Sequence, residues 1–405
     1  MDFQVNQPST VLIHHPYQPP EGFEAPQPGV FKASTVFFPT VAAMRSREWQ
    51  DKSAYTYGLH GTPTSYALEE RLCTLEGGQQ CLLLPSGLAA LALVATSLLK
   101  SGDEVLLPDN AYGPNKSLVE GELLGWGITH QYYDPLDPQD LEAQISSRTK
   151  LVWLEAAGSV TLEFPNIVEM VRICERRKVL TALDNTWGAG LAFSPFDLVP
   201  GESPAVAVDI SAHALTKYPS GGGDVLMGSV ITRNPGLHRK LMLTHMRFGI
   251  GVGMNDVELV LRSLPSIALR YAAHDTATRE LAAWAQTQTE FVQVLHPALQ
   301  ESPGHAHWLA LCGDAPGRAA GLFSVILDAR FTQTQTDAFC NALKLFRLGY
   351  SWGGPISLVV PYELQSMRKG WPTHLLRGTL VRFSVGLESV SDLQADIAQA
   401  LHALR

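Results

Sequence analysis

The sequence lacks a basic stripe. Its 405 residues carry 30 Lys and Arg against 39 Asp and Glu, a formal net charge of -9. Nucleic acid and anionic membrane both reward clustered cations, so neither is expected as a main partner. No apolar run reaches membrane-spanning length. No basic region followed by an apolar segment opens the chain, so a secretory signal is not expected. Cysteine is scarce: Cys73, Cys81, Cys174, Cys312 and Cys340 are odd in number, scattered and free of any C-x-x-C pair. That pattern fits reduced thiols rather than a disulfide frame or a zinc site, and together these absences predict a cytoplasmic protein with no metal. Internal repeats, low-complexity runs and the Walker and dinucleotide fingerprints are also missing.

What remains is ordinary core-forming material, 45% hydrophobic and 17% charged, in a chain long enough for two domains. Residues 1–55, with Pro8, Pro16, Pro19, Pro20, Pro26, Pro28 and Pro39 around a short apolar patch at 36–38, predict an extended arm of the kind that lies across a neighbouring subunit. From Thr64 the pattern turns helical, with Leu68, Leu72 and Leu75 on one face and a stop at Gly77 and Gly78. Strands are predicted at 81–84, 104–107, 151–155, 179–184, 206–211 and 225–232, with helices such as 88–100 and 167–177 between several of them. This alternation predicts an α/β domain over 56–250 with a mainly parallel sheet. A smaller α+β domain is expected over 251–405, with a long helical stretch at 256–274, strands at 322–327 and 380–385, and a closing helix from Ser391.

Several residues carry candidate chemistry. Lys217 leaves an apolar strand and enters a small-residue loop, Gly221-Gly-Gly. A desolvated lysine there favours the neutral amine that condenses with an aldehyde cofactor; an exposed lysine beside a flexible loop is the alternative. Asp184 ends a buried strand, where open α/β sheets build ligand sites, and suits either a pyridinium N–H or a helix cap. Gly87 and Leu88 open a helix directly after a strand, where free backbone N–H groups hold phosphate. Arg382 points to the opposite face of its strand from Val381, Phe383 and Val385, and fits a substrate carboxylate or a structural ion pair. Tyr112 follows the strand ending near Leu107 and suits stacking on a planar ring or anchoring a loop. Trp352 either walls a pocket or caps the small domain.

Taken in order, the motifs Tyr57-Gly-Leu-His-Gly-Thr-Pro-Thr64, Leu75-Glu-Gly-Gly78, Pro85-Ser-Gly87, Ala111-Tyr112, Leu183-Asp-Asn-Thr-Trp187, Thr216-Lys-Tyr218, Tyr350-Ser-Trp-Gly-Gly354 and Arg382 with Gly386-Leu-Glu388 resemble the Cys/Met-metabolism family of pyridoxal-phosphate enzymes, and within it the bacterial cystathionine β-lyases. The resemblance implies the aspartate-aminotransferase type of fold (fold type I) with pyridoxal 5'-phosphate as cofactor. It implies that Lys217 forms the Schiff base, Asp184 holds the ring nitrogen and Tyr112 stacks on the ring and assists proton transfer. Gly87, Leu88 and Thr216 would hold the phosphate, and Arg382 with Ser351 and Trp352 the carboxylate of an amino-acid substrate. Tyr57 would reach the phosphate of a neighbouring subunit, so that each site is shared within a dimer, usually paired again as a homotetramer.

Two positions depart from the family pattern. Leu59 stands where an arginine normally contacts the phosphate, with His60 beside it as a possible substitute cation. Ala214 stands where a serine is common. The implied reaction is β-elimination of L-cystathionine, a step of methionine biosynthesis and transsulfuration. Its rivals are γ-lyase, γ-synthase or cysteine desulfhydrase chemistry with alanine racemisation as a side activity, and a non-catalytic binding protein on the same fold.

Overall fold

The computed structural model describes residues 8–16, 21–23, 25–46, 52 and 54–404. Of the arm, residues 1–7 and the marker prolines Pro19 and Pro20 lie outside the described residues. The arm is not wholly extended. Pro8–Ile13 forms a short helix, α1, whose Leu12 is 1% exposed and joins the main hydrophobic core.

Helix α2 (Pro63–Glu76) begins on a capping box, Thr62 accepting from the Ser65 backbone and Ser65 answering, and ends on Gly77 in the left-handed conformation. Helix α3 (Gly87–Leu98) is capped by the Ser86 side chain, which accepts from Ala89 N. Helix α4 (Ile167–Arg177) matches its expected span, because five of its apolar residues fall on one buried stripe.

Seven strands form the large sheet: β1 (Gln80–Leu84), β2 (Glu104–Pro108), β3 (Thr129–Tyr133), β4 (Thr149–Glu155), β5 (Leu180–Asp184), β6 (Ile210–His213) and β7 (Gly228–Thr232). Their spatial order is β1-β7-β6-β5-β4-β2-β3. The run from β6 to β3 is parallel throughout, and β7 is antiparallel to both of its neighbours. Strand β1 therefore points the same way as the parallel set, and the C-terminal ends of β1, β2, β4, β5 and β6 share one edge. The expected strand at 206–211 is shifted to β6, since Ala205 to Val208 connect loops rather than pair, and the strand at 225–232 starts only at Gly228.

The second sheet contains β8 (Phe291–Leu295), β9 (Leu322–Asp328), β10 (Arg347–Leu348), β11 (Leu358–Tyr362) and β12 (Gly378–Ser384), ordered β10-β11-β12-β9-β8. The long helical stretch expected at 256–274 is two helices, α5 (Met254–Ser263) and α6 (Ile267–Ala285). Pro265, which has no backbone N–H, sits in the single 3-10 turn between them. Helix α7 (Val390–Ala400) closes the chain over the second sheet, with Leu393, Ile397 and Ala400 packed on Val325, Val381 and Phe383. Among the described residues, no helix is long and apolar enough to cross a membrane.

Candidate active site

The shared strand edge opens into a cavity of about 480 Å³. The C-terminal ends of β4 and β5 and the segments that follow β1, β2 and β6 supply Ser86, Gly87, Leu88, Tyr112, Glu155, Asp184, Thr216 and Lys217 to its wall, and the small-sheet side supplies Tyr350, Ser351, Trp352, Tyr362, Met367 and Arg382. Residues far apart in sequence thus converge because parallel strands end together. Tyr57 is not among them. It lies beside a second cavity with Leu59 and His60, 46% exposed, its hydroxyl accepting from Ser34 Oγ at 3.4 Å. Burial lowers the pKa of His60, so within its own chain this imidazole is a poor cation.

At the phosphate end, α3 presents its first backbone N–H groups at Gly87 and Leu88. A Cβ on residue 87 would lie 2.5 Å from the Ala214 Cβ, so glycine is required for the turn after β6 to pack against this helix start. Thr216 faces the same region, although its hydroxyl already donates to the Met227 carbonyl at 3.3 Å and accepts from Met227 N at 3.2 Å.

Lys217 Nζ donates to Ser351 Oγ at 2.7 Å and stands 5.3 Å from the centre of the Trp352 ring. Burial, and then the nearby Arg382 guanidinium, lower its pKa to about 8, against the pull of Asp184. Ser351 holds φ +87, a left-handed conformation that costs a serine about 1–3 kcal/mol and is stored where a side chain must be aimed. The following Gly353 passes close to the lysine turn, where an added Cβ would come within 3.1 Å of Tyr218 N and 3.2 Å of the Lys217 carbonyl carbon. Arg382 Nη2 donates to the Ser351 carbonyl at 3.3 Å, and its buried Nε has no partner among the described residues. A buried guanidinium with an unpaired donor in a cavity wall suits an incoming carboxylate.

Asp184 Oδ1 accepts from Thr186 N at 3.1 Å and from Thr186 Oγ1 at 2.5 Å, which leaves Oδ2 for a ligand. Burial raises its pKa, partly offset by those bonds. Thr186 also accepts from Ala214 N at 3.0 Å, tying the β5 and β6 ends together. Glu155, opposite Asp184 in the β4–β5 register, accepts from Tyr112 N at 2.8 Å and so fixes the Tyr112 backbone at the cavity wall. Burial and the facing Asp184 push the Glu155 pKa well up. Neither Glu155 nor Thr186 is singled out by the sequence reading; the rule that strand C-termini carry ligand groups, applied to β4, would have found Glu155.

The far wall is latched across the two sheets. Arg368 Nε donates to Asp109 Oδ2 at 2.9 Å and its Nη1 to Glu163 Oε1 at 3.0 Å, while Lys116 Nζ donates to the Met367 carbonyl at 2.7 Å. The expected result of Arg368→Ala is a loss of about 3–5 kcal/mol, because the buried Glu163 carboxylate loses its main cation. Urea unfolding would show it, and an unchanged midpoint would contradict it. The depressed Lys217 pKa gives a second prediction. Only the neutral amine condenses with an aldehyde, so capture of the cofactor by the cofactor-free protein should accelerate as pH rises through about 8 and then level. Stopped-flow absorbance measures this, and an inflection above pH 10 would contradict the desolvated setting.

The cavity fits pyridoxal 5'-phosphate in each of its parts: a helix start for the phosphate, a neutralisable amine for the aldehyde and a carboxylate with a free oxygen for the ring nitrogen. Comparison with known proteins agrees. The model of the Cys/Met metabolism PLP-dependent enzyme family matches residues 9–402. The chain is 34% identical to a cystathionine beta-lyase of Bordetella avium, covering 96% of each chain, and 32% identical to an L-alanine/L-glutamate racemase of Wolbachia pipientis, covering 93% of this chain and 92% of the relative. Its structure superposes on that of metB from Corynebacterium glutamicum with a TM-score of 0.86 at 27% identity, covering 99% of both chains. The large, mostly parallel sheet with a smaller C-terminal sheet is the fold type I architecture expected from the sequence, and the protein belongs to the Cys/Met metabolism family of PLP-dependent enzymes, with pyridoxal 5'-phosphate as its cofactor.

Proposed function

We propose that this enzyme is a cytoplasmic carbon–sulfur lyase that converts L-cystathionine and water to homocysteine, pyruvate and ammonia. One observation carries the reading. The Lys217 amine and the Arg382 guanidinium meet on the same residue, at the Ser351 side chain and carbonyl respectively. An amino acid whose carboxylate is held by Arg382 and Ser351 therefore has its Cα beside the Lys217 amine. Trp352, whose ring centre lies 5.3 Å from the Lys217 amine, is the residue of Tyr350-Ser-Trp-Gly-Gly354 by which the motif resembles β-lyases rather than related γ-enzymes.

When bound, pyridoxal 5'-phosphate supplies the aldehyde that captures the substrate amine and a protonated ring that takes up the electron pair left at Cα. Gly87, Leu88 and Thr216 would hold the phosphate, Asp184 would hold the ring proton, and Tyr112 would cover the ring. Lys217, whose pKa burial lowers to about 8, would remove the Cα proton in its neutral form. The Cβ–S bond then breaks, and the sulfur leaves as a thiol with a proton from Lys217 assisted by Tyr112. The remaining unsaturated amine takes up water to give pyruvate and ammonia. Incubating cofactor-loaded protein with L-cystathionine tests the reading. Pyruvate with homocysteine supports it, whereas 2-oxobutyrate with cysteine, or racemised alanine without elimination, would overturn it.

The same reading includes a homotetramer built as a dimer of dimers with shared sites. Tyr57 stands apart from the cavity within its own chain, and the arm leaves Phe23, Phe31, Phe37, Val41 and Met44 exposed. Such apolar exposure marks a surface for another chain. Tyr57→Phe should weaken cofactor binding about tenfold, the loss of one hydrogen bond to a charged group. Equilibrium dialysis checks it, and unchanged affinity would remove Tyr57 from the site.

A further inference from the structure

Behind the cavity floor lies a buried polar group that the mechanism above does not use. His213, the last residue of β6, is 1% exposed and Glu76, the last of α2, also 1%. His213 Nδ1 is 2.9 Å from Glu76 Oε1. The other Glu76 oxygen accepts from Ser211 Oγ at 2.5 Å and from Asn185 Nδ2 at 3.0 Å. Burial pushes the Glu76 pKa up, but the bonds from His213, Ser211 and Asn185 outweigh it and hold the group below its ordinary value, as a carboxylate. An ionised acceptor on Nδ1 fixes the proton there. The second ring nitrogen, Nε2, is buried without a partner among the described residues, on a residue that lines the cavity.

Asp184 needs such a neighbour. Burial disfavours its charge, and Glu155, opposite it in the adjacent strand, adds a second acid. The neighbouring His213 and Lys217 act in the opposite sense and draw it back.

We infer that the Glu76–His213 pair is a positioning device that locks the ends of β5 and β6 together, holds Asp184 in place and so keeps the proton on the cofactor's ring nitrogen. Glu76 orients the imidazole, and Asn185 ties the same carboxylate to the residue after Asp184. His213 and Glu76 touch no reacting atom; they act through Asp184. This inference rests on the pairing of Asp184 with the ring nitrogen, and not on the identity of the sulfur substrate.

The test is solid-state nitrogen-15 NMR of holoenzyme reconstituted with pyridoxal 5'-phosphate labelled at the ring nitrogen, for the wild type, Asp184→Asn, His213→Asn and Glu76→Gln. The expected result is a protonated nitrogen in the wild type, an unprotonated one in Asp184→Asn, and roughly half of the nitrogens unprotonated in the other two, as a fall of about one unit in the support of its pKa would give. Glu76→Gln keeps the shape of the site and removes only the charge, so it carries the test if His213→Asn does not fold. A nitrogen as fully protonated in His213→Asn and Glu76→Gln as in the wild type, with Asp184→Asn unprotonated, would overturn the role of the pair alone. A protonated nitrogen in Asp184→Asn would overturn the Asp184 pairing, and the inference with it.

Discussion

Lys217→Ala is expected to abolish turnover, lowering kcat for elimination by about four orders of magnitude, the upper range for removal of a group that serves as both base and acid. The variant should still bind pyridoxal 5'-phosphate, because the helix start at Gly87, Thr216 and Asp184 do not depend on the lysine. Its absorbance should be that of a free aldehyde rather than an imine. The site around the missing side chain should persist, since Ser351 is held by its own backbone and by the approach of Gly353 to the lysine turn. Added small amines should restore part of the rate by entering the vacated space, which distinguishes a lost base from a collapsed fold. Pyruvate release measured in single turnover settles the matter: elimination within tenfold of the wild type would remove Lys217 from the base role.

Arg382→Ala should cost about 3 kcal/mol in kcat/KM, roughly two orders of magnitude, as truncating one member of a buried charge pair does. Arg382 is 7% exposed, its guanidinium lies 5.3 Å from the centre of the Tyr362 ring, and its Nε is unpaired among the described residues. Burial already lowers its pKa, so a substrate carboxylate restores a partner that the protein itself withholds. The loss should fall mainly on KM, with cofactor absorbance unchanged. Arg382→Lys should recover only part of it, because an ammonium lacks the planar two-point geometry. Steady-state kinetics on L-cystathionine and on an amino acid lacking the distal group should show the same factor for both. An effect confined to the larger substrate would place Arg382 at the distal end instead.

The large sheet and its ligand edge were legible because the signals are local. Strand β5 reads as a buried run ending in Asp184, and α3 follows β1 with a serine cap and a glycine. Lys217, Arg382 and Ser351 were legible as a set only through the order of the motifs, since no single one distinguishes a site from a surface residue or a salt bridge. Other parts were hidden for physical reasons. Strand β3 is Thr-His-Gln-Tyr-Tyr at the sheet edge, too polar to read as a strand. Strand β11 contains Pro361, which is tolerated because β10 pairs only with Leu358 and Val359 and leaves that stretch an open edge. The Arg368 latch joins residues 259 positions apart, and neither end carries a pattern that points to the other. Leu12 reads as part of a proline-rich arm, yet its burial is decided by a groove beside α2 that only the assembled core creates.

The most direct test of the central claim is to find where the cofactor is attached. Holoenzyme reduced with borohydride, digested and examined by peptide mass spectrometry should carry the phosphopyridoxyl group on Lys217 and on no other lysine. Modification of a different lysine, with Lys217 recovered intact, would contradict the site built here and the chemistry derived from it.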